Sequence, residues 1–271
     1  MDLGLGGRAA FVAGSSSGLG YAVARELARE GCRVAICSRD RDRITAAAER
    51  LVEETGVGED AVLPIECDVT SERAVFNAVE MAGDHFGALH VLVTNAGGPP
   101  AGLIDDFSSD SWKAALDLNL MSTIHLCRAA LPHLRRAGGE ADPLARILMI
   151  ASISAKQPIP NLYLSNTARA GVLGFAKSLS EELGPEGITV NSILPGYTRT
   201  DRLAELAENV TADTGKTPGE IEAVWAADSA LRRIADPAEF AAVAAFLVSK
   251  RASYVTGVAF PVDGGRSKHL L

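Results

Sequence analysis

Residues 8–20 read RAAFVAGSSSGLG and decide how the chain begins to fold. The apolar run Arg8 to Ala13 has the length and composition of a buried strand, and apolar residues at helical spacing follow from Gly18 to Glu30. Glycines between a strand and a helix permit a tight turn and let an anion approach the backbone N–H groups of the helix N-terminus. The stretch therefore predicts strand, glycine loop and helix, and the loop is either an anion site or a purely structural turn.

The same alternation continues along the chain. Strand-like and helix-like segments follow one another at short intervals, which favours a parallel sheet with helices on both faces. Strands are predicted at 33–37, 61–66, 90–93, 146–151 and 188–193, and helices at 41–54, 72–86, 111–136 and 165–183. Because crossovers are right-handed, two sets of three strands should wind in opposite directions and leave a crevice where they meet. We predict a single-domain α/β fold over 1–271, a Rossmann-type doubly wound parallel sheet in three layers.

Residues 201–235 interrupt this alternation. The segment is polar and helix-like, and Gly215 and Pro218 break it. A long irregular segment within a regular α/β chain is typical of a lid over an active site. We therefore predict a substrate lid at 201–235.

Composition excludes several classes of protein. The net charge of −8 disfavours nucleic acid as a partner, and neither a signal peptide nor a run of eighteen apolar residues is present, so we expect a cytoplasmic protein that does not enter membranes. The four cysteines lack CxxC spacing and the five histidines lack HxxxH spacing. We expect buried free thiols and no metal site.

Several motifs jointly resemble the short-chain dehydrogenase/reductase family, in particular its 3-oxoacyl-carrier-protein reductases. They are the GxxxGxG spacing of 14–20, Asp68-Val69, Asn95-Ala96-Gly97, Asn119, Ser152, Pro195-Gly196, Tyr254 to Gly257 and Val262 to Gly265. The resemblance covers essentially the whole chain and implies binding of NAD(H) or NADP(H). The cofactor-binding residues that it implies are Gly14, Ser16, Ser17, Gly18, Leu19, Gly20, Ser38, Arg39, Asp68, Val69, Asn95, Ala96, Gly97, Arg169, Pro195, Gly196 and Thr198.

The end of the second predicted strand bears on the choice of nucleotide. A carboxylate there would hydrogen-bond the ribose 2′-OH of NAD, but this chain has Ser38-Arg39. A guanidinium suits a 2′-phosphate, so we expect NADP(H) to be preferred over NAD(H). Alternatively, Arg39 belongs to the mixed-charge helix start that follows it.

The catalytic positions depart from the family pattern, in which a tyrosine precedes a lysine by four residues. Arg169 begins a run that matches the family's KAG segment, and Ser165 lies thirteen residues after Ser152, the spacing usual for the tyrosine. The resemblance thus places Ser165 and Arg169 at the tyrosine and lysine positions, with Asn119 and Ser152 retained. The pKa of a serine hydroxyl cannot be lowered toward neutral pH as that of a phenol can. The proton would then come from Tyr163, from a water held by Ser165, or from the substrate. The other interpretation of Tyr163 is a packing or lid residue.

The leading functional hypothesis is an oxidoreductase that interconverts a small-molecule carbonyl and a secondary alcohol by hydride transfer. The alternative, prompted by the altered positions, is a catalytically silent dinucleotide-binding protein that serves sensing or assembly. The resemblance also implies a homotetramer or homodimer, for which the long helices at 111–136 and 165–183 offer packing surfaces. Tyr197 and Trp225 are candidates either for shaping the substrate pocket or for ordinary packing.

Overall fold

The computed structural model describes residues 2–270, apart from the side chains of 209 and 212–214, so the outermost residues of the predicted domain 1–271 lie outside the described part. Within that part the strands are β1 (Ala9–Val12), β2 (Arg33–Ser38), β3 (Val62–Glu66), β4 (Val91–Thr94), β5 (Ala145–Ile150), β6 (Ile188–Pro195) and β7 (Ala259–Val262). The helices are α1 (Gly18–Arg29), α2 (Arg41–Thr55), α3 (Glu72–Phe86), α4 (Ser109–Leu116), α5 (Ser122–Gly138), α6 (Tyr163–Leu183), α7 (Asp201–Thr214), α8 (Pro218–Asp228) and α9 (Pro237–Val248).

All neighbouring strands pair in parallel, in the order β3-β2-β1-β4-β5-β6-β7. The order reverses between β1 and β4, so the predicted doubly wound sheet is confirmed, with its crevice at the carboxyl ends of these two strands. The described residues form seven strands in this sheet rather than the six expected.

Alternation along each strand builds the three layers. In β1, Ala9 and Phe11 enter one core while Ala10 and Val12 enter the other. The first core packs β1 against α3, α5 and α6, and the second packs it against α1, α2 and α9. Because successive side chains of a strand point to opposite faces, a strand buried on both sides is apolar throughout.

Three predicted boundaries differ from the structure. The helix expected at 111–136 begins at Ser109, because the Ser108 side chain accepts a hydrogen bond from the Ser111 amide, and a π-helical turn at 117–121 separates α4 from α5. The helix expected from Ser165 begins two residues earlier, at Tyr163. The segment 201–235 forms two capped helices, α7 and α8, and Gly215 ends the first with φ of 70°.

Two elements were missed by the sequence analysis. Helix α9 is capped reciprocally by Asp236 and Glu239 and packs on α1, and β7 adds an edge strand to β6. The four cysteines are free and buried, as expected. No helix in the described range 2–270 is both long enough and apolar enough to cross a membrane.

Candidate active site

The loop between β1 and α1 forms a tight cradle. Gly14 and Gly18 have φ of 57° and 61°, in the left-handed region that favours glycine. A Cβ on Gly20 would lie 2.3 Å from the Gly14 carbonyl oxygen, so the helix can approach the loop only without a side chain here. Ser17 precedes α1 without a capping hydrogen bond from its side chain, which leaves the first amides of the helix available. A diphosphate fits this cradle because exposed N–H groups and the helix dipole both favour an anion.

A cleft of about 390 Å³ opens from this loop along the carboxyl ends of the central strands. The structure brings thirteen of the predicted site residues together around it. They are Gly14, Ser17, Gly18, Leu19, Asn95, Ala96, Gly97, Ser152, Ser165, Arg169, Pro195, Gly196 and Thr198. The amide of Asn95 donates to the Gly14 carbonyl oxygen at 2.9 Å and so joins the β4 loop to the glycine loop.

Other predicted residues lie outside the lining of this cleft. They are Ser16, Gly20, Ser38, Arg39, Asp68, Val69, Asn119 and Tyr163. Gly20 lies behind the glycine loop, where its missing side chain permits the close packing just described.

The carboxyl ends of β2 and β3 carry the residues expected to meet the adenosine half of a nucleotide. The Ser38 hydroxyl donates to the Asp40 carbonyl oxygen at 2.8 Å, and the Asp40 carboxylate caps α2 by accepting from the Arg43 amide at 3.0 Å. Hydrogen bonds from Thr70 lower the pKa of Asp68, and the nearby charge of Arg39 adds to the effect. Arg39 is exposed beside these groups.

Three serine hydroxyls cluster where β5 leads into α6. The Ser152 hydroxyl oxygen accepts a hydrogen bond from the Ser154 amide at 3.1 Å, and this bond fixes the position of the oxygen. The hydroxyls of Ser154 and Ser165 lie 3.5 Å apart, and Ser154 is buried. Ser152 and Ser165 line the cleft. A hydroxyl held in this way still has a proton to donate to an oxygen in the cleft.

Arg169 is a buried cation at the base of the cleft. Its Nη1 donates to the Ile150 carbonyl oxygen at 2.8 Å and its Nη2 to that of Ala96 at 3.3 Å, while its buried Nε has no hydrogen-bond partner among the described residues. Burial lowers the pKa of Arg169 to about 10, so the side chain stays charged at neutral pH. The guanidinium links β5 to the loop after β4 and places positive charge in a poorly solvated position.

Asn119 lies in the π-helical turn between α4 and α5, below the cleft. Its amide nitrogen donates to the Gly97 carbonyl oxygen at 2.7 Å, whereas its buried Oδ1 has no partner in the described part of the chain. π-Helical turns within α-helices occur frequently at functional sites. Asn119 thus positions the β4 loop from beneath the cleft.

Aromatic residues occupy two different surroundings. Tyr163, the first residue of α6, is 43% exposed and does not line the cleft. Tyr197 does line the cleft and stacks on Trp225, with ring centroids 5.0 Å apart. Arg266 lies 4.0 Å from the Tyr197 ring centroid and donates to its hydroxyl at 3.0 Å. Burial raises the pKa of Tyr197, against the effect of the Arg266 charge.

Sequence reasoning missed much of the cleft wall. The residues that it did not single out are Gly98, Pro99, Ala101, Ile150, Ala151, Ile153, Ile159, Leu162, Thr200, Asp201, Arg202, Leu203, Leu206 and Arg266. The N-terminal turn of α7 supplies a group of them, at the start of the segment predicted to be a lid. The polar sequence of 201–235 indicated that region without showing which side chains turn inward.

Comparison with known proteins identifies relatives along nearly the whole chain. The family model described as Enoyl-(Acyl carrier protein) reductase matches residues 13–267. The short-chain reductase protein NovJ of Streptomyces niveus is 36% identical over 259 residues, which is 95% of this chain and 93% of that protein. The 3-oxoacyl-acyl-carrier-protein reductase FabG of Chlamydia muridarum is 32% identical over 258 residues, which is 95% of this chain and 96% of that protein.

A solved structure agrees with these matches. L-sorbose reductase from Gluconobacter frateurii, crystallised with NADPH and L-sorbose, has a TM-score of 0.92 and 34% identity, with 100% of both chains covered. The parallel sheet, the glycine loop and the near-complete sequence matches lead to one conclusion: the chain belongs to the short-chain dehydrogenase/reductase family.

Proposed function

We propose that this chain is an NADP(H)-dependent oxidoreductase that interconverts a small-molecule ketone and a secondary alcohol. The observation that carries the proposal is the meeting of the Ser152 hydroxyl and the buried Arg169 cation in a cleft that begins at the glycine loop. Bound nicotinamide supplies or accepts the hydride. The chain itself must hold the nucleotide, orient the carbonyl and stabilise the charge that develops on its oxygen.

Two features support a preference for NADP(H). Ser38 ends β2 where a carboxylate would select NAD, and the nearby Asp40 carboxylate is occupied by capping α2. Arg39 lies exposed between them and can pair with a 2′-phosphate through charge-assisted hydrogen bonds. The NADPH in the related sorbose reductase agrees with this preference.

Ser152 and Arg169 would act on the carbonyl oxygen in different ways. Ser152 donates a hydrogen bond to that oxygen, while the Ser154 amide occupies one of its two lone pairs. Arg169 contributes fixed positive charge in a poorly solvated site, where it stabilises a developing alkoxide more than it would in water. It holds its proton throughout, because its pKa of about 10 lies above neutral pH. We propose that a water at Ser165 donates the proton that converts the alkoxide to the alcohol, and that the hydroxide left behind takes a proton from solvent.

The segment 201–235 serves in this proposal as a lid. Helices α7 and α8 pack on one another, and the first turn of α7 borders the cleft. Closure over bound substrate would exclude water and strengthen the interactions of Arg169. We also propose a homotetramer or homodimer that packs through the surfaces of α5 and α6.

A panel of ketones and secondary alcohols, assayed with both nucleotides, tests the function. We expect turnover with NADP(H) above that of NAD(H), and loss of turnover in an Asn119→Ala, Ser152→Ala double variant that still binds nucleotide. Nucleotide binding by the wild type without turnover above the double variant would instead indicate the catalytically silent binding protein. Calorimetry that detects neither nucleotide bound to the folded protein would exclude both functions.

A further inference from the structure

The cleft is positively charged in an acidic protein. The chain carries a net charge of −8, yet the described side chains that line the cleft include Arg169, Arg202 and Arg266 and a single carboxylate, Asp201. Asp201 also borders a neighbouring hollow lined by Arg25. Among the described side chains that line the cleft, the positive charges therefore outnumber the negative ones.

Two of the three arginines are engaged by the protein. Arg169 donates to the carbonyl oxygens of Ile150 and Ala96 and is buried beneath the cleft. Arg266 pairs with Asp228 at 2.9 Å and its side chain is 11% exposed. Its remaining contacts are with Tyr197. These two guanidiniums hold the walls of the cleft in place.

Among the described residues, Arg202 makes only long polar contacts. Its Nη1 lies 3.4 Å from a carboxylate oxygen of Glu205, and its Nη2 lies 3.5 Å from the Pro99 carbonyl oxygen. The side chains of Arg202 and Glu205 are 54% and 62% exposed, a setting in which an ion pair contributes little. The guanidinium thus reaches from α7 across to the loop after β4 and retains donor capacity toward the cleft.

We infer that the substrate carries an acidic group, a carboxylate or a phosphate, that pairs with Arg202 while its carbonyl meets Ser152. The inference rests on the proposed function, since it names the substrate class of the same cleft. A planar guanidinium binds either anion through two parallel hydrogen bonds, which fixes the orientation of the substrate as well as its charge. Ile159, Leu162 and Leu206 line the same cleft and offer apolar contact to the carbon skeleton.

Pairs of related ketones, one member anionic and the other neutral, test this subsite. Suitable pairs are acetoacetate with ethyl acetoacetate, levulinate with ethyl levulinate, and dihydroxyacetone phosphate with dihydroxyacetone, so that carboxylate and phosphate are separated. We expect the charged member of at least one pair to have a kcat/KM at least tenfold higher. Arg202→Leu should lower that value about 10- to 100-fold through KM, with kcat and the neutral member little changed. Arg202→Lys should recover part of the loss.

Arg199→Leu is the matched control. Arg199 lies three residues away, is 64% exposed, pairs with Glu222 at 3.4 Å and does not line the cleft. The Arg199→Leu substitution removes the same charge from the same region and should leave the preference for charged ketones intact. Equal losses in the two leucine variants, or no preference in the wild type, would overturn the inference. So would an equal fall in NADPH affinity in Arg202→Leu, because the arginine would then serve the nucleotide.

A calorimetric arm separates the two proposals. If no ketone in the panel is turned over, the proposed function fails. Whether Arg202 forms an anion subsite is then tested separately, by measuring how acetoacetate, levulinate and dihydroxyacetone phosphate bind to the protein saturated with NADP⁺. Weaker binding of one of these anions to Arg202→Leu than to Arg199→Leu supports the subsite. Binding that is absent, or equal in the two variants, refutes it.

Discussion

Gly20→Ala perturbs the packing that forms the glycine cradle. The added Cβ would lie 2.3 Å from the Gly14 carbonyl oxygen and 2.8 Å from the Asn95 amide nitrogen, whereas ordinary contact begins near 3.4 Å. The loop must therefore move by about 1 Å, and the hydrogen bond between Asn95 and Gly14 must stretch or break. Overpacking of this kind costs about 1–3 kcal/mol of unfolding free energy. For a chain of this size the loss corresponds to a fall in Tm of roughly 2–10 °C.

The same displacement should weaken nucleotide binding, since the loop presents the amides that hold the diphosphate. A loss of about 1.4 kcal/mol of binding free energy raises the Kd for NADPH about tenfold. We expect calorimetry to show a rise of roughly tenfold or more for Gly20→Ala. Gly219→Ala is the control, because an added Cβ there meets no atom within 4 Å and favours helix α8 by up to about 1 kcal/mol. An unchanged Tm in Gly20→Ala would refute the packing argument, and a lowered Tm with unchanged Kd would refute its link to the nucleotide.

Three further outcomes are expected. Arg39→Ala should raise the Kd for NADPH at least tenfold and leave that for NADH nearly unchanged, and equal losses would refute the assignment. The double variant Ser165→Tyr, Arg169→Lys should reduce ketones faster than the wild type. A folded double variant with no gain would refute the placement of Ser165 and Arg169 at the family's tyrosine and lysine positions. Burial lowers the pKa of His90 below its ordinary value of 6.5, and the charge of Glu140 offsets part of this shift. The neutral ring therefore stabilises the fold above pH 6.5, and this stabilisation is lost as the pH falls and the ring must take up a proton. His90→Gln should flatten Tm between about pH 7 and pH 5, and an unchanged slope would contradict this.

The sequence predicted the elements whose signals are local. The run 9–13 is apolar on both faces and is followed by Gly14, so its position between two helical layers follows from composition alone. Right-handed crossovers then determine where the strand order reverses, and the crevice follows from that order. The glycine loop and Asn95 meet there because both follow strands that end at the same edge.

Other parts depend on tertiary contacts that the sequence does not display. Strand β7 is short and half-exposed, so it lacks the apolar run that marks a buried strand. Helix α9 is apolar on most of its surface and shows little of the periodicity that marks a surface helix. Arg202 reads as one charge among many in a polar segment, and only the placement of α7 turns it toward the cleft. Tyr163 is 43% exposed and lies outside the lining of the cleft, so its role as a proton donor stays a prediction.

Arg169, which the family resemblance places at the lysine position, also has a structural role that does not depend on proton transfer. A guanidinium can donate to two carbonyl groups at once, and Arg169 does so toward Ile150 at the end of β5 and Ala96 after β4. A lysine has its three donors on one nitrogen rather than on two separated nitrogens, so it would hold the buried Ile150 carbonyl and the part-buried Ala96 carbonyl less well, at a cost of about 1 kcal/mol. The side chain thus holds together the two loops that bear Ser152 and Asn95, as well as supplying charge. Arg169→Lys alone should therefore lower Tm and activity together, and a variant that lost activity with its Tm intact would confine the role of Arg169 to chemistry.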